Sequence, residues 1–360
     1  MFDILNKFGA SDIHLKSDQK SGLEAIIAIH NTTLGPALGG CRFMEYQSQE
    51  EALIDAVRLA KGMTYKAALA NLPAGGGKAV ILKPGEPFDR QRLFRSFADF
   101  IETLKGRYVT ALDCGTTLED MDVIASRTRH VASSSKLGDC SRPTAIGIYS
   151  GIKAAFEQRF GQPDLTGIRI AIQGLGHVGM KLARLLHDAG GELIVSDLDP
   201  TRTAAARQLF KARVVPLDKI YSQPCEIFSP CGLGGIINDT SIDQLHCAII
   251  AGAANNQLAN DHQAQTLHRK NILYIPDFAI NSGGLIYATM KYNKSSDAEI
   301  TSRLAQIPKT ITELIQLSES RGITPWQSAV TLAEHRLENA RNTDSFSAKQ
   351  ASATDITMVN

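Results

Sequence analysis

The 360-residue chain lacks the usual marks of a metal centre or a disulfide scaffold. Its six cysteines (Cys41, Cys114, Cys140, Cys225, Cys231, Cys247) form no C-x-x-C pair, and its nine histidines include no H-E-x-x-H. Scattered thiols of this kind read as reduced cysteines in a cytoplasmic protein, with no metal expected. No charge sign dominates either. With 38 Lys and Arg against 37 Asp and Glu, neither nucleic acid nor an anionic membrane is the expected partner. No apolar run approaches the ~20 residues needed to span a bilayer. The start, Met1-Phe-Asp-Ile-Leu-Asn-Lys7, has neither the basic end nor the apolar stretch of a signal peptide. A phosphate loop is excluded too. Lys78 follows three glycines, but Ala79 stands where Ser or Thr is required, position 72 is Leu, and the order is helix then strand.

What is present begins with two lysines. Lys66 closes a helix predicted over residues 48–70, whose start carries Ser48 and Glu51 at capping-box spacing. Its apolar stripe runs Leu53, Ala56, Val57, Ala60 and Met63. Lys78 ends Pro73-Ala-Gly-Gly-Gly-Lys78, read as a glycine turn that opens the strand Ala79–Leu82. Three successive glycines give up backbone order, which close approach to a ligand or another backbone repays. A lysine aimed from such a place, once desolvated, loses its proton readily and becomes an acid/base. Further strands are predicted at Leu23–Ile29 and Arg107–Leu112, the second ending at Asp113.

From about residue 143, strands and helices alternate, the pattern of a mostly parallel sheet covered by helices. Gln173-Gly174-Leu-Gly176-His177-Val178-Gly179 follows one predicted strand and opens a helix, and Asp197 closes the next strand. Strand, glycines, helix and distal carboxylate together specify a dinucleotide site. The helix N-terminus would receive the pyrophosphate. Asp197 accepts ribose hydroxyls and repels a 2′-phosphate, which favours NAD over NADP. Arg202 lies close enough in sequence to weaken that preference. Open parallel sheets bind ligands beyond the carboxyl ends of their strands. Three such ends are polar or glycine-rich: Pro230–Gly235 with Cys231, Ala251–Asn256 with Ala253, and Pro276–Gly284 with Asn281. They are expected to wrap the nicotinamide.

The ordered set Lys66, Gly75-Gly-Gly-Lys78, Asp113, the fingerprint, Gly252-Ala-Ala-Asn-Asn256 and Asn281-x-Gly-Gly284 resembles the glutamate/leucine/phenylalanine/valine dehydrogenases over roughly residues 20–340. The resemblance implies an NAD-dependent amino acid dehydrogenase that is homo-oligomeric, a dimer or an octamer. It implies that Lys66 binds the α-carboxylate, Lys78 activates water at the carbonyl or imine carbon, and Asp113 takes protons from the amine. Gly39 and Gly40 would contact substrate, and Thr144 with one of Asn255 and Asn256 would position nicotinamide and substrate. The chemistry fits these residue types. An iminium attacked by water needs a fixed cation, a low-pKa amine and a carboxylate.

The glutamate branch carries a lysine before the glycine pair, whereas Leu38 stands here. A glutamate side chain would be left unpaired against it. The remaining pocket positions by resemblance, Met63, Ala111, Leu285 and Ala288, are apolar too, which implies a leucine- or valine-like substrate. Phenylalanine and tryptophan stay open, as does a non-catalytic NAD- or amino-acid-binding protein that kept the fold. The fold class expected is α/β in two domains with a cleft between them. Residues 1–135 form an α/β substrate and oligomerisation domain, with 325–345 packing back on it. Residues 136–324 form a Rossmann-type domain, and 346–360, rich in Ser, Ala, Thr and Asp, form a disordered tail.

Overall fold

The computed structural model describes residues 2–85 and 87–356, with side chains as far as Asn342. The chain forms two compact units: residues up to Gly138 with those from Thr331 onward, and Asp139–Val330. This division extends the first predicted domain by three residues and starts its returning segment inside the last helix, Pro325–Ile356. Residues 346–356 are helical where composition predicted disorder, and 357–360 lie outside the described residues.

The first unit holds a five-stranded mixed sheet: β1 (Asp12–Asp18), β2 (Leu23–Asn31), β3 (Ala37–Met44), β4 (Gly75–Leu82) and β5 (Tyr108–Leu112), in the order β1-β2-β4-β3-β5. β3 runs parallel to β4 and β5, while β2 pairs antiparallel with β1 and β4. β2 is apolar without a break from Ala25 to Ile29 because both of its faces are covered there. Leu23, Ile27 and Ile29 join Phe43, Ala79, Ile81, Phe94, Phe97 and Tyr108 on one side. Ile26, Ala28 and Val80 meet Ala52, Ala56, Val57 and Ala60 of the helix Gln49–Leu69 on the other.

Ser48 caps that helix through the Glu51 amide, but Glu51 reaches past Ser48 to the Gln47 amide, so only half of the expected capping box forms. The glycine run is strand, not turn: Gly75–Gly77 lie within β4. The predicted helix over 297–321 is two helices, Asp297–Leu304 and Ile307–Arg321, with Pro308 in the first turn of the second. At the C-terminal end Arg336 donates to the Ala68 and Leu69 carbonyls, and Tyr65 donates to Glu334.

The second unit holds a six-stranded, wholly parallel sheet. Its strands are β6 (Arg169–Gln173), β7 (Glu192–Ser196), β8 (Arg213–Val214), β9 (Ile227–Pro230), β10 (Ile249–Ile250) and β11 (Leu273–Tyr274). Their order is β11-β10-β9-β6-β7-β8, so chain direction reverses its progress at β6. That reversal is the point where doubly wound sheets open a ligand crevice. No helix among the described residues is long and apolar enough to cross a membrane.

Candidate active site

Successive side chains on a strand point to opposite faces. Cys41 and Phe43 face the phenylalanine-rich side of the first sheet, which sends Leu38, Gly40 and Arg42 toward the helix Gln49–Leu69. Ala79 and Ile81 do the same for Gly76 and Lys78. Gly76 lets the helix approach closely. A Cβ there would sit 2.1 Å from Thr64 Oγ1 and 2.6 Å from the Ala60 carbonyl oxygen. Met63 and Lys66 ride on that helix, half-buried. Gly76 thus seats the Lys66 helix on the Lys78 strand, while Gly75 makes room for the Asn31 carbonyl and Gly77 for the Tyr108 ring.

Gly39 has its own close neighbour: a Cβ there would lie 1.7 Å from the Gly77 carbonyl oxygen. The Gly39 carbonyl also accepts a 2.8 Å hydrogen bond from the Tyr108 hydroxyl. Gly40 pairs with Ala111 on β5, and a Cβ at Gly40 would come within 2.6 Å of Asp113 Cβ. The bulkless position makes room for Asp113, which begins the turn after β5. Asp113 is braced there, its amide donating to Thr116 Oγ1 at 3.0 Å and its Oδ1 accepting from the Cys114 amide at 2.7 Å.

Lys78 is 6% exposed, and its ammonium ion-pairs with Asp113 Oδ2. Burial pushes its pKa down to about 7 from the ordinary 10.5, and the positive charges of Arg42 and Lys66 add to the effect while Asp55 opposes it. An amine of this kind titrates in the physiological range. Arg42, Asp55 and Tyr46 were missed in the sequence. Arg42 Nη1 lies 2.7 Å from Asp55 Oδ2, and the Tyr46 hydroxyl donates to the same oxygen at 2.9 Å. Two signals were available. Arg42 follows Gly40 at the strand period, and Asp55 precedes Lys66 by eleven residues, three helical turns on one stripe.

In the second unit the glycine fingerprint takes the form its spacing implies. Gly174 has φ +95° and lies against Gly232, and a Cβ at Gly179 would meet the Gly174 carbonyl oxygen at 2.1 Å. Gly176 caps the helix His177–Asp188 and has no heavy atom within 4 Å of where its Cβ would be. His177 is exposed and Val178 half-buried. Asp197 Oδ2 accepts the Leu175 amide of this loop and Oδ1 accepts the Asp199 amide at 2.8 Å, while Arg202 Nη1 stands 3.8 Å away. The carboxylate therefore braces the glycine loop.

The three strand-end loops are brought together. The Cys231 amide donates to Gln173 at 2.7 Å, and the Gly235 amide donates to the Asn256 carbonyl at 2.7 Å. Asn281 Nδ2 donates to the Ala253 carbonyl at 3.0 Å and to Asn255 Oδ1 at 2.9 Å. Asp277, read in the sequence only as part of its loop, accepts the Asn256 amide at 2.8 Å and the Tyr274 hydroxyl at 3.2 Å, holding Asn256 at φ +51°. Thr144 sits in the first turn of the helix Ser141–Phe160, and a Cβ at Gly284 would lie 2.7 Å from its Oγ1. Leu285 and Ala288 are buried on the helix Gly283–Tyr292.

The chain is similar to known proteins. Residues 10–130 match the model of the Glu/Leu/Phe/Val dehydrogenase dimerisation domain, and residues 201–344 match that of the Glutamate/Leucine/Phenylalanine/Valine dehydrogenases. The chain belongs to this dehydrogenase family. The leucine dehydrogenase of Thermoactinomyces intermedius is 43% identical over 349 residues, covering 96% of this chain and 95% of that protein. The L-tryptophan dehydrogenase of Nostoc punctiforme is 42% identical over 347 residues, covering 96% and 98%. The crystal structure of L-tryptophan dehydrogenase from Nostoc punctiforme superposes with a TM-score of 0.84 at 40% identity, over 95% of this chain and all of that one.

As a member of the apolar-amino-acid branch, the chain is an oxidoreductase that acts on the CH–NH2 group of amino acids with NAD. The residues present fit that cofactor. The fingerprint leaves open space at Gly176 before a helix N-terminus, which favours a pyrophosphate. Asn281 Oδ1 is buried with no hydrogen-bond partner among the described residues, an acceptor suited to a carboxamide N–H. NAD, when bound, takes up the hydride lost by the substrate α-carbon.

Proposed function

We propose that the chain catalyses reversible oxidative deamination of a leucine- or valine-like L-amino acid to its 2-oxo acid and ammonia, with Lys78 as the water-activating base. The Lys78–Asp113 pair carries this reading. A buried amine with a pKa near 7 can pass a proton to and from water at neutral pH, and a carboxylate beside it can accept protons from the departing amine. Lys66, on the helix seated against the Lys78 strand, supplies the fixed cation for the α-carboxylate.

The apolar preference rests on Leu38, 3% exposed on β3 and on the same sheet face as Lys78. A distal carboxylate against Leu38 would have no counter-charge there. The family resemblance also assigns substrate contacts to Met63, Ala111, Leu285 and Ala288. Asp197, His177, Val178, Cys231, Ala253, Asn255, Asn256, Asn281 and Thr144 are assigned to NAD. A homo-oligomer in the cytoplasm completes the proposal.

The test is NADH formation with a panel of leucine, valine, isoleucine, phenylalanine, tryptophan and glutamate, beside Lys78→Ala. Leucine or valine should lead, glutamate should fail, and Lys78→Ala should lose turnover while still binding NAD. A panel led by tryptophan or phenylalanine would replace the substrate assignment. An active Lys78→Ala enzyme would remove the base.

A further inference from the structure

A buried ammonium touching a carboxylate is a poor base, because the attraction keeps the proton on nitrogen. The proposed chemistry needs the opposite state, a free amine at Lys78 while Asp113 stays ionised. Arg42 supplies what the pair lacks. Its Nε lies 3.9 Å from Asp113 Oδ2, is buried, and has no hydrogen-bond partner among the described residues. A guanidinium stays protonated at any pH the enzyme meets. It therefore holds Asp113 anionic after Lys78 gives up its proton, and its like charge disfavours the Lys78 ammonium.

Arg42 is itself fixed. Asp55 Oδ2 takes Arg42 Nη1 at 2.7 Å and the Tyr46 hydroxyl at 2.9 Å, while Asp55 Oδ1 takes Arg58 Nη2 at 3.2 Å. We propose that Arg42, aimed by Asp55 and Tyr46, is the positioning residue that lets a neutral Lys78 amine and an ionised Asp113 carboxylate coexist.

The other groups facing Lys78 do not supply this function. From the helix Gln49–Leu69, Lys66 has the right sign but is committed by the proposal above to substrate, and Asp55 acts on Lys78 in the opposite direction. From β3, the fully buried Cys41 thiol is pushed up by burial and stays neutral. Arg42 alone among these groups lies beside both partners of the pair.

The inference rests on Lys78 being the base, and its test separates the two. The pH dependence of kcat/KM is measured for NADH formation with the fastest amino acid of the panel, in the full-length parent, Arg42→Gln, Arg42→Lys, Tyr46→Phe and Lys78→Ala. Arg42→Gln should move the acid limb upward by about one pH unit or more, which is about tenfold lower kcat/KM below the limb. Arg42→Lys, which keeps the charge, should recover at least about half of that shift. If Arg42→Gln does not fold, Tyr46→Phe decides, with a smaller upward shift expected and a limb at the parental position overturning the proposal. An unmoved limb in folded Arg42→Gln, or an equal shift in Arg42→Lys, overturns the proposal while Lys78→Ala remains inactive. An active Lys78→Ala enzyme instead overturns the base assignment on which it rests.

Discussion

Lys78 on β4 and Asp113 after β5 are 35 residues apart in sequence, yet their side chains form an ion pair on one face of a sheet. β3 lies between their strands and makes the contact possible by carrying glycine at position 40, where any side chain would collide with Asp113. The pair should govern both the chemistry and its response to pH.

Below about pH 7 the Lys78 amine takes up a proton and ceases to act as a base, so kcat/KM for deamination should fall on the acid side of neutrality. The same group should appear in stability. Its folded pKa lies below the ordinary 10.5, so its contribution is complete above that value and is lost as pH falls toward 7. A difference in melting temperature between the parent and Lys78→Met that stayed constant from pH 7 to pH 10 would contradict the assigned burial effect.

Leu38→Lys should place a cation on the sheet face shared with Lys78. Leucine kcat/KM should fall by at least about tenfold, and glutamate should become measurable as a substrate. Steady-state kinetics with both amino acids checks this. Unchanged leucine turnover would place Leu38 outside the pocket.

Asp197→Asn removes a charge and keeps an oxygen for the Leu175 or Asp199 amide. With Arg202 3.8 Å from that carboxylate, the ratio of NADP to NAD kcat/KM should rise by roughly tenfold or more. A ratio that stays put would show that Asp197 only braces the loop.

Asn281→Ala cuts the ties to Ala253 and Asn255 and removes the buried acceptor. The Kd for NAD should rise by roughly tenfold, since losing hydrogen bonds of this kind costs about 1–3 kcal/mol. Calorimetric titration with NAD is the direct measurement.

Gly39→Ala would drive a methyl group to within 1.7 Å of the Gly77 carbonyl oxygen. Neighbouring strands would have to part, at a cost of about 3 kcal/mol or more. Denaturant unfolding should show that loss in the midpoint with the slope unchanged.

Legibility in the sequence followed how local each signal was. The strand–glycine–helix fingerprint around Gly174–Gly179 is carried by adjacent residues, so its reading needed no tertiary knowledge. The same holds for Ser48 as a helix cap and for the apolar stripe up to Met63. The run Gly75–Gly77 looked like a turn because glycine disfavours strands in isolation. Its strand state comes from neighbours that no local pattern reveals: Thr64 on the helix, Ala37 on β3 and Tyr108 on β5. Arg42 and Asp55 went unnoticed for the same reason. Each is an ordinary surface residue by type, and only the register of β3 and the stripe of the helix bring them to Lys78. Asp277 was hidden behind Asn281, the more conspicuous member of its loop.

The Arg336 guanidinium closes off the Ala68 and Leu69 carbonyls at the C-terminal end of the helix that carries Lys66. A segment 267 residues downstream of Leu69 thus finishes one made early. On the ribosome the first unit must wait, that helix unsealed, until the whole of the second unit has emerged. Domains usually fold in the order of their synthesis. In this chain the amino-terminal unit is expected to be the last to mature.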